Sequence, residues 1–388
     1  MRKGDVTPVI PSSLEGSGMQ LSTRRSTALA VAGVILLAAC QTAGTPTQRP
    51  SVAASAPPAA TSTATMAPAT SAATMAPATP GESSTSFWIG FTSVGLSSAP
   101  FLSAIAKLNE QGYDIETPIL AQSELVTEGV AQGQFAFGSG ANNAVLAAVE
   151  QGANLKVLVD RVSNEWTLYV ATDITDCAGL NGRRLALHSD GAVSSAMVRN
   201  YIETNCSGTA PQEIFIEGSP NRVAAMLATP PQVDASPLEL GDSITIDTQA
   251  SDRFHLLSSF SADLPDLKTT SIYVNGDFAE QNPEAVTDVV RAVVEEFRLV
   301  SEDAAYLEQI ATELVPDAIN PETITAAAEK YVELGMFPAD GGTTEENLQY
   351  TADFFGPEGT GTVSRAIELD EWSDLSFLQA GLGELGSQ

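Results

Sequence analysis

From Phe87 onward, the chain alternates between short apolar runs and segments in which apolar residues recur every three or four positions. The short runs predict buried strands, and the longer period predicts amphipathic helices. The predicted strands lie at 87–91, 114–120, 134–138, 155–159, 184–188, 213–217 and 233–235. The predicted helices lie at 101–111, 144–151, 194–204 and 220–228, with a further helix that begins near Ser123. Strands that alternate with helices over ~25–35 residues indicate a parallel α/β sheet.

Two apolar segments, 168–174 and 271–278, resemble each other and enclose the second half of this series. After them the pattern is mostly helical. Asn282 precedes a proline and a glutamate, which is a typical helix start, and apolar residues then mark one face as far as Phe297. Residues 320–322 repeat this start. We therefore predict two long helices in this part of the chain.

The start of the chain has a different pattern. Two arginines at 24–25 precede a short apolar run, 28–37, and small residues then lead to Cys40. This is the layout of an export signal that starts near Met19, and the run is too short to span a bilayer. The order Leu-Ala-Ala-Cys resembles the lipobox of bacterial lipoproteins, in which the cysteine is lipidated and becomes the first mature residue. The alternative is an ordinary cleaved signal with an incidental cysteine.

The segment 40–85 is predicted to be a tether rather than a domain. It consists largely of alanine, proline, threonine and serine and contains no aromatic residue before Phe87. Such a segment buries too little apolar surface to offset its chain entropy. With residues 1–39 removed as a signal peptide, the tether would hold a globular head on the extracytoplasmic face of the cell membrane, and lipid on Cys40 would be its membrane contact.

Charge and composition exclude several classes of function. The chain has 48 acidic and 18 basic residues, for a formal net charge of −30. Such a surface repels nucleic acid, so we expect no nucleic-acid partner. The sequence has two histidines, His188 and His255, and no Cys-x-x-Cys or His-x-x-His spacing. It therefore offers few ligands for a metal ion and few residues for histidine-driven catalysis. We expect no metal site, no catalytic residue and no cofactor.

Several segments, in their order and spacing, resemble the solute-binding proteins of ABC importers of the nitrate, sulfonate, taurine and thiamine-precursor (pyrimidine) type. The matching segments are 89–92, 129–138, 152–157, 180–186, 233–235 and 277–284. The chain departs from the family at 229–232, which replaces a Gln-x-Gly turn, and at 236–239, which replaces an aromatic residue followed by an acid and a proline. The wall of the second lobe is therefore expected to differ from that of the family.

The resemblance implies a fold and a function. The fold is the type II periplasmic-binding-protein fold, an α/β fold with two lobes joined by two crossover strands, with 86–170 and 274–388 in the first lobe and 171–273 in the second. The function is capture of a small organic solute between the lobes and its delivery to an ABC permease, without catalysis. Two alternatives stay open, namely a ligand sensor without transport and an enzyme of the thiamine-pyrimidine synthesis type. The cysteine-rich stretch associated with that enzyme is absent here.

Candidate ligand-binding residues follow from the strand order. In open α/β sheets, ligands bind beyond the carboxyl ends of the strands, near helix N-termini, where free N–H groups suit a carboxylate, sulfonate or phosphate. This rule selects Thr92, Ser93, Ser139, Asn142, Ser189, Asp190, Gly191, Ser194 and Glu239. For Ser189, Asp190 and Ser194, capping of the following helix is an equal alternative.

Trp166 is predicted to line the cleft as a stacking wall, with core packing as the alternative. Arg222 is expected on a solvated helix face. Since no basic residue is assigned to the pocket, a neutral or zwitterionic solute, or an anion held by backbone N–H groups, is favoured. The resemblance limits the solute to a thiamine-precursor-like pyrimidine, a sulfonate, a flavin or a similar small molecule.

Cys177 and Cys206 are predicted to form a disulfide. Cys177 precedes the strand 184–188, and Cys206 follows the helix that returns antiparallel to that strand. Both cysteines then arrive at the end of the second lobe opposite the cleft. In an exported protein, a bridge there would add ~2–4 kcal/mol of stability. Two free thiols are the alternative.

Overall fold

The computed structural model describes residues 85–92, 94–120 and 122–386, and every structural statement below concerns these residues. The predicted signal peptide, the tether with Cys40, and Ser93 lie outside them. None of the described helices combines the length and the apolar character that crossing a membrane requires.

The strands are β1 (Ser86–Phe91), β2 (Asp114–Glu116), β3 (Phe137–Ala141), β4 (Leu155–Val162), β5 (Thr167–Ala171), β6 (Arg184–Leu187), β7 (Gln212–Phe215), β8 (Ala235–Leu238), β9 (Phe254–Ser259) and β10 (Thr270–Asn275). The helices are α1 (Ala99–Glu110), α2 (Ser123–Ala131), α3 (Asn142–Glu150), α4 (Val193–Cys206), α5 (Ser219–Leu227), α6 (Leu240–Ala250), α7 (Phe260–Asp263), α8 (Gly276–Gln281), α9 (Pro283–Glu302), α10 (Ala304–Leu314), α11 (Ile324–Glu333), α12 (Glu345–Phe355), α13 (Leu369–Trp372) and α14 (Ser376–Leu385). Short 3-10 helices lie at Leu96–Ser98, Cys177–Leu180 and Pro316–Ala318.

The strands form two five-stranded sheets, one in each lobe. The order is β2-β1-β3-β10-β4 in the first sheet and β7-β6-β8-β5-β9 in the second. The chain passes between the sheets twice, at 163–166 and at 264–269, and these segments are called here the first and second crossover. This arrangement confirms the predicted two-lobed α/β fold.

The prediction of parallel sheets is wrong for one strand in each lobe. β10 is antiparallel to both β3 and β4, and β5 is antiparallel to both β8 and β9. Each of these strands carries the chain into its sheet directly from the other lobe. Because no helix returns the chain to the starting edge of the sheet, the strand runs opposite to its neighbours.

The chain also enters each sheet a few residues before the expected lobe boundaries at 170/171 and 273/274. Thr167 already pairs with Leu238 in the second sheet, and Thr270 already pairs with Ala141 in the first. The two mutually similar apolar segments therefore begin inside the receiving sheets, because the crossovers themselves are only a few residues long.

β3 lies further along the chain than predicted, and this moves Ser139 and Gly140 from a turn into a strand. Ser139 pairs with Ile272 of β10, and Gly140 pairs with Ser271. The preceding Gly138 lets β10 approach, since a Cβ atom at this position would lie only 2.4 Å from Cζ of Tyr273. The long-range pairing with β10 thus extends the strand beyond the apolar run visible in the sequence.

The apolar face of α9 is buried, as predicted, and packs against α1 and α14 in the core of the first lobe. In the second lobe, a disulfide joins Cys177 to Cys206, with Cα atoms 5.9 Å apart. Cys206 is the last residue of α4, whereas the cleft faces the first turn of that helix. The predicted bridge is therefore present at the end of the lobe away from the cleft.

Candidate functional site

A cavity of about 70 Å³ lies between the lobes. Since one water molecule needs roughly 10–15 Å³ of such space, the cavity has room for a small solute. The first lobe contributes Thr92, Ser123, Glu124, Ala141, Arg161 and Thr270, and the first crossover contributes Trp166. The second lobe contributes His188, Ser189, Gly191, Ala192, Val193, Ser194, Gly218, Ser219, Arg222 and Glu239.

Six of the residues selected from the sequence line this one cavity, and they come from three separate strand ends and the first crossover. They are Thr92, Trp166, Ser189, Gly191, Ser194 and Glu239. The rule that ligands bind beyond strand ends therefore selects residues that the fold brings together. Ser189, Gly191 and Ser194 lie at the start of α4, close to its free backbone N–H groups.

Three other selected residues lie elsewhere. Ser139 is buried inside the first sheet. Asn142 is also fully buried, and its Nδ2 donates hydrogen bonds to the Lys268 carbonyl at 2.8 Å and to Ser271 Oγ at 2.9 Å. Asp190 points to solvent, where it pairs with Arg199 at 2.8 Å. None of the three lines the interlobe cavity.

The expectation that Arg222 lies on a solvated face is wrong. Its side chain is fully buried. Nε donates to the Pro237 carbonyl at 3.0 Å, and Nη1 donates to the Ile216 carbonyl at 3.2 Å. The guanidinium also lies 5.9 Å from the centre of the Trp166 ring. Arg222 is thus held rigidly at the wall of the cavity.

Arg161, which sequence reasoning did not select, is a second arginine at the cavity. It occupies the end of β4 and is only 5% exposed. Its Nη2 lies 3.7 Å from Oε1 of the buried Glu165, too far for a hydrogen bond. Its position near the end of a strand is the feature of the sequence that could have identified it as a cavity residue. The assumption that no basic residue reaches the pocket is therefore also wrong.

Several buried polar atoms at this cavity have no hydrogen-bond partner within the described chain. They are Arg161 Nε, Ser194 Oγ, Arg222 Nη2 and Thr270 Oγ1. Buried donors and acceptors are almost always satisfied in folded proteins, because leaving one unpaired costs ~1–3 kcal/mol. Two guanidinium groups and two hydroxyl groups are therefore available to a bound molecule.

Acidic groups lie beside the arginines. Burial raises the pKa of the Glu165 carboxyl to about 8, and the neighbouring Glu239 carboxylate adds to this rise. The Tyr331 hydroxyl donates a hydrogen bond to Glu165. Burial, again with Glu239, raises the pKa of Asp242 to about 7. At neutral pH, Glu165 is largely protonated and leaves the charge of Arg161 mostly uncompensated.

His188 also lines the cavity. Its Nδ1 accepts a hydrogen bond from the Gly218 N–H at 3.0 Å. Burial, together with the nearby Arg222, lowers the pKa of this imidazole. A neutral ring that holds the loop before α5 is the role that these contacts support.

Hydrogen bonds across the cleft join the lobes on both sides of the cavity. Asn143 Nδ2 donates to the Gly191 carbonyl at 2.7 Å, and Gln122 Nε2 donates to Glu217 at 3.0 Å. On the other side, the Gly241 N–H donates to the Tyr331 hydroxyl at 3.3 Å. The lobes are therefore in contact on both sides of the cavity, which remains partly open to solvent.

The fold has counterparts among solved structures. The ligand-binding component of an ABC-type import system from Staphylococcus aureus has a TM-score of 0.60 at 12% identity, over 76% of this chain and 98% of its own. The periplasmic aliphatic sulphonate-binding protein SsuA from Escherichia coli gives 0.58 at 17% identity, over 74% and 96%. The periplasmic nitrate-binding protein NrtA from Synechocystis PCC 6803 gives 0.59 at 13% identity, over 78% and 89%. At these identities the likeness concerns the fold.

Among curated protein sequences, none matches this chain. Residues 98–298, more than half of the chain, match the family model described as NMT1/THI5 like. This segment includes most of the residues that line the cavity, from Ser123 through Glu239 to Thr270. It also covers five of the six segments on which the resemblance to importer solute-binding proteins rests. The chain belongs to the NMT1/THI5-like family.

Proposed function

We propose that this protein is the solute-binding component of an ABC importer, held on the extracytoplasmic face of the cell membrane by lipid on Cys40. The two-lobed fold is similar to that of proteins described as a ligand-binding component of an import system, a sulphonate-binding protein and a nitrate-binding protein. The leader sequence supports export, and the cleft between the lobes offers a site for a small solute that is lined by both lobes.

The observation that carries this proposal is the set of unpartnered polar atoms at the interlobe cavity. Arg161 Nε and Arg222 Nη2 are donors on positively charged groups, and both side chains are more than nine-tenths buried. A carboxylate, sulfonate or similar anionic group on the solute would accept their hydrogen bonds. Such charge-assisted bonds are stronger than neutral ones, and they are stronger still inside a cavity from which water is excluded.

The remaining lining residues suit an organic solute rather than a bare inorganic anion. Trp166 supplies an aromatic surface next to Arg222, and Ser194 and Thr270 supply hydroxyl groups without a partner. An organic body could pack against the indole ring while its polar groups reach the hydroxyls. The solute would be enclosed when the lobes close.

Binding is tested with the mature chain carrying Cys40→Ser, by thermal shift against sulfonates, pyrimidines, flavins, small carboxylates and nitrate. A ligand at 100 times its dissociation constant should stabilise the chain by about 2.7 kcal/mol. Arg222→Gln should remove the shift. Arg253→Gln, an arginine of the same lobe outside the cavity, should retain it. Chemical turnover of a bound ligand, or the absence of any saturable shift, would contradict the proposal.

The anchor is tested separately in bacteria that process lipoproteins. The wild-type protein should fractionate with membranes and carry lipid on Cys40, detected by mass spectrometry of the N-terminal peptide. Cys40→Ala should be exported without lipid and recovered in the soluble extracytoplasmic fraction. Recovery of the wild-type protein in that soluble fraction would support the ordinary cleaved signal instead.

A further inference from the structure

A second cavity, of about 50 Å³, adjoins the first, and Glu239 lines both. The first lobe lines it with Val94 to Leu96 and with residues between Ala318 and Tyr331. The second lobe adds Pro220, Gly241 and Asp242. Glu239 and Asp242 are the charged members of this described lining, which contains no basic residue. This second cavity is therefore negatively charged, whereas the two arginines lie at the first.

The opposite charges at these two cavities are not paired with each other. Among the described residues, Arg222, Glu239 and Asp242 take part in no ion pair within 4.0 Å. Arg222 and Glu239 nevertheless line the same cavity. Arg222 is fully buried, whereas Glu239 and Asp242 are half-buried. A buried charge without a counter-ion destabilises a protein by several kcal/mol, so the Arg222 guanidinium in particular should find a partner.

Local contacts hold the Arg222 side chain and the Glu239 backbone in place. The carbonyls of Pro237 and Ile216 hold two nitrogens of the guanidinium. Glu239 precedes α6, and its backbone N–H donates to Ser219 Oγ at 3.1 Å. The fold therefore fixes the Arg222 guanidinium and the backbone of Glu239 on the wall of one cavity, and the two side chains form no ion pair within 4.0 Å.

We propose that the solute is a zwitterion, with its anionic group at Arg161 and Arg222 and an organic ammonium group at Glu239 and Asp242. This inference rests on the proposed function and names the charge class of the solute. A purely anionic solute would pair the arginines and leave the carboxylates without a counter-ion. A purely cationic solute would leave the arginines unpaired, so only a molecule with both charges satisfies both sides.

The ionisation of the neighbouring acids provides an independent readout. Burial and the neighbouring Glu239 raise the pKa of Glu165 to about 8 and that of Asp242 to about 7, so both carboxyl groups are partly protonated near neutral pH. An ammonium group beside Asp242 would favour the ionised form of this carboxyl. Binding of a zwitterion should therefore release protons, whereas binding of an anion should not.

The test uses calorimetric titration of the mature chain carrying Cys40→Ser with matched probes. The probes are glycine, β-alanine and 4-aminobutyrate, their N-acetyl derivatives, which are anions, and their methyl esters, which are cations. We expect one or more zwitterions to bind at least about tenfold more tightly than both derivatives. Titrations in buffers with different ionisation enthalpies should detect the released protons.

Variants test the anion-binding and the ammonium-binding residues separately. Glu239→Gln should weaken zwitterion binding at least about tenfold while leaving binding of the N-acetyl anion unchanged. Arg222→Gln should weaken both. Asp242→Asn repeats the test if Glu239→Gln fails to fold. Asp247→Asn is the matched control, because this acid lies on α6, as Asp242 does, and lines neither cavity. It accepts a hydrogen bond from Tyr169 at 2.8 Å.

Two outcomes would overturn the proposal, and they differ in what they mean for the importer function. If an N-acetyl anion binds as tightly as its parent zwitterion, the ammonium site is wrong and the solute-binding function stands. If none of these probes binds while a solute of the wider thermal-shift panel that is not a zwitterion does, the zwitterion class is wrong. Failure of both panels contradicts the two proposals together.

Discussion

The Lys268 ammonium group lies 2.8 Å from the Asp160 carboxylate, and both side chains are almost completely buried. Lys268 belongs to the second crossover, and Asp160 lies in β4, just before the first crossover. The ion pair therefore connects the two segments by which the lobes are joined. Burial raises the pKa of Asp160 to about 6, and Lys268 opposes that rise.

Lys268→Met should lower the free energy of unfolding by about 3–5 kcal/mol at pH 8, because it leaves a buried carboxylate without its counter-ion. The pKa of Asp160 should rise further in this variant. The loss should therefore shrink towards pH 5, where the carboxyl becomes protonated. Urea denaturation at the two pH values measures both effects.

The matched control for this experiment is the double variant Asp160→Asn with Lys268→Met. Removing the carboxylate as well should restore part of the stability and abolish the pH dependence of the loss. An equal loss at pH 5 and pH 8 in Lys268→Met would mean that lost packing, and not the unpaired charge, causes the effect.

Removal of the disulfide should affect stability but not ligand binding. Cys177 and Cys206 are separated by 29 residues in sequence, and a loop of this length corresponds to about 3–4 kcal/mol of stabilisation. The bridge lies at the end of α4 away from the cavity. Cys177→Ser with Cys206→Ser should lower the melting temperature and leave the dissociation constant unchanged, as calorimetry with a bound solute can show. A change in affinity above threefold would argue against this separation.

Asn143→Ala should loosen the closed form. This side chain crosses the cleft to the Gly191 carbonyl, and one hydrogen bond of this kind contributes about 0.5–1.5 kcal/mol. The solute should therefore dissociate about 2- to 12-fold faster, as stopped-flow measurement would detect. Gln122→Ala is the control, because its contact with Glu217 is exposed and should matter less. Equal dissociation rates in wild type and Asn143→Ala would exclude a role in closure.

Glu165→Gln should change how stability depends on pH. The folded-state pKa of Glu165, about 8, lies above its ordinary value of 4.5, so the folded state holds a proton that the unfolded state loses in this range. In the wild type, the contribution of this group to stability is therefore greatest below pH 4.5 and decreases as pH rises to 8. Glutamine cannot titrate, so the decrease between pH 5 and 8 should be smaller in the variant. Melting curves across this range would refute the assignment if the two proteins behaved identically.

Much of the fold follows from local sequence patterns. The apolar runs and helix periods predict most strands and helices as far as residue 235, and strand ends point to Ser189, Gly191 and Ser194, because a βα turn depends on adjacent residues alone. The same local reasoning predicted the Cys177–Cys206 bridge. These features need no knowledge of distant parts of the chain.

The errors have a common physical cause, which is contact between separate strands, helices and loops of the fold. Ser139 lies inside the sheet because β10, from a distant part of the chain, extends β3 past its apolar run. Arg222 is buried because the carbonyls of Ile216 and Pro237, on two other segments, accept its hydrogen bonds. No periodicity in the sequence contains that information.

The two crossovers also determine the order in which the lobes can be completed. All strands of the second sheet lie between Thr167 and Ser259, so this sheet can form as soon as that continuous segment is available. The first sheet lacks the strand between β3 and β4 until residue 275 has emerged. A chain that emerges from its amino end should therefore fold the second lobe as an independent unit while the first lobe still lacks β10.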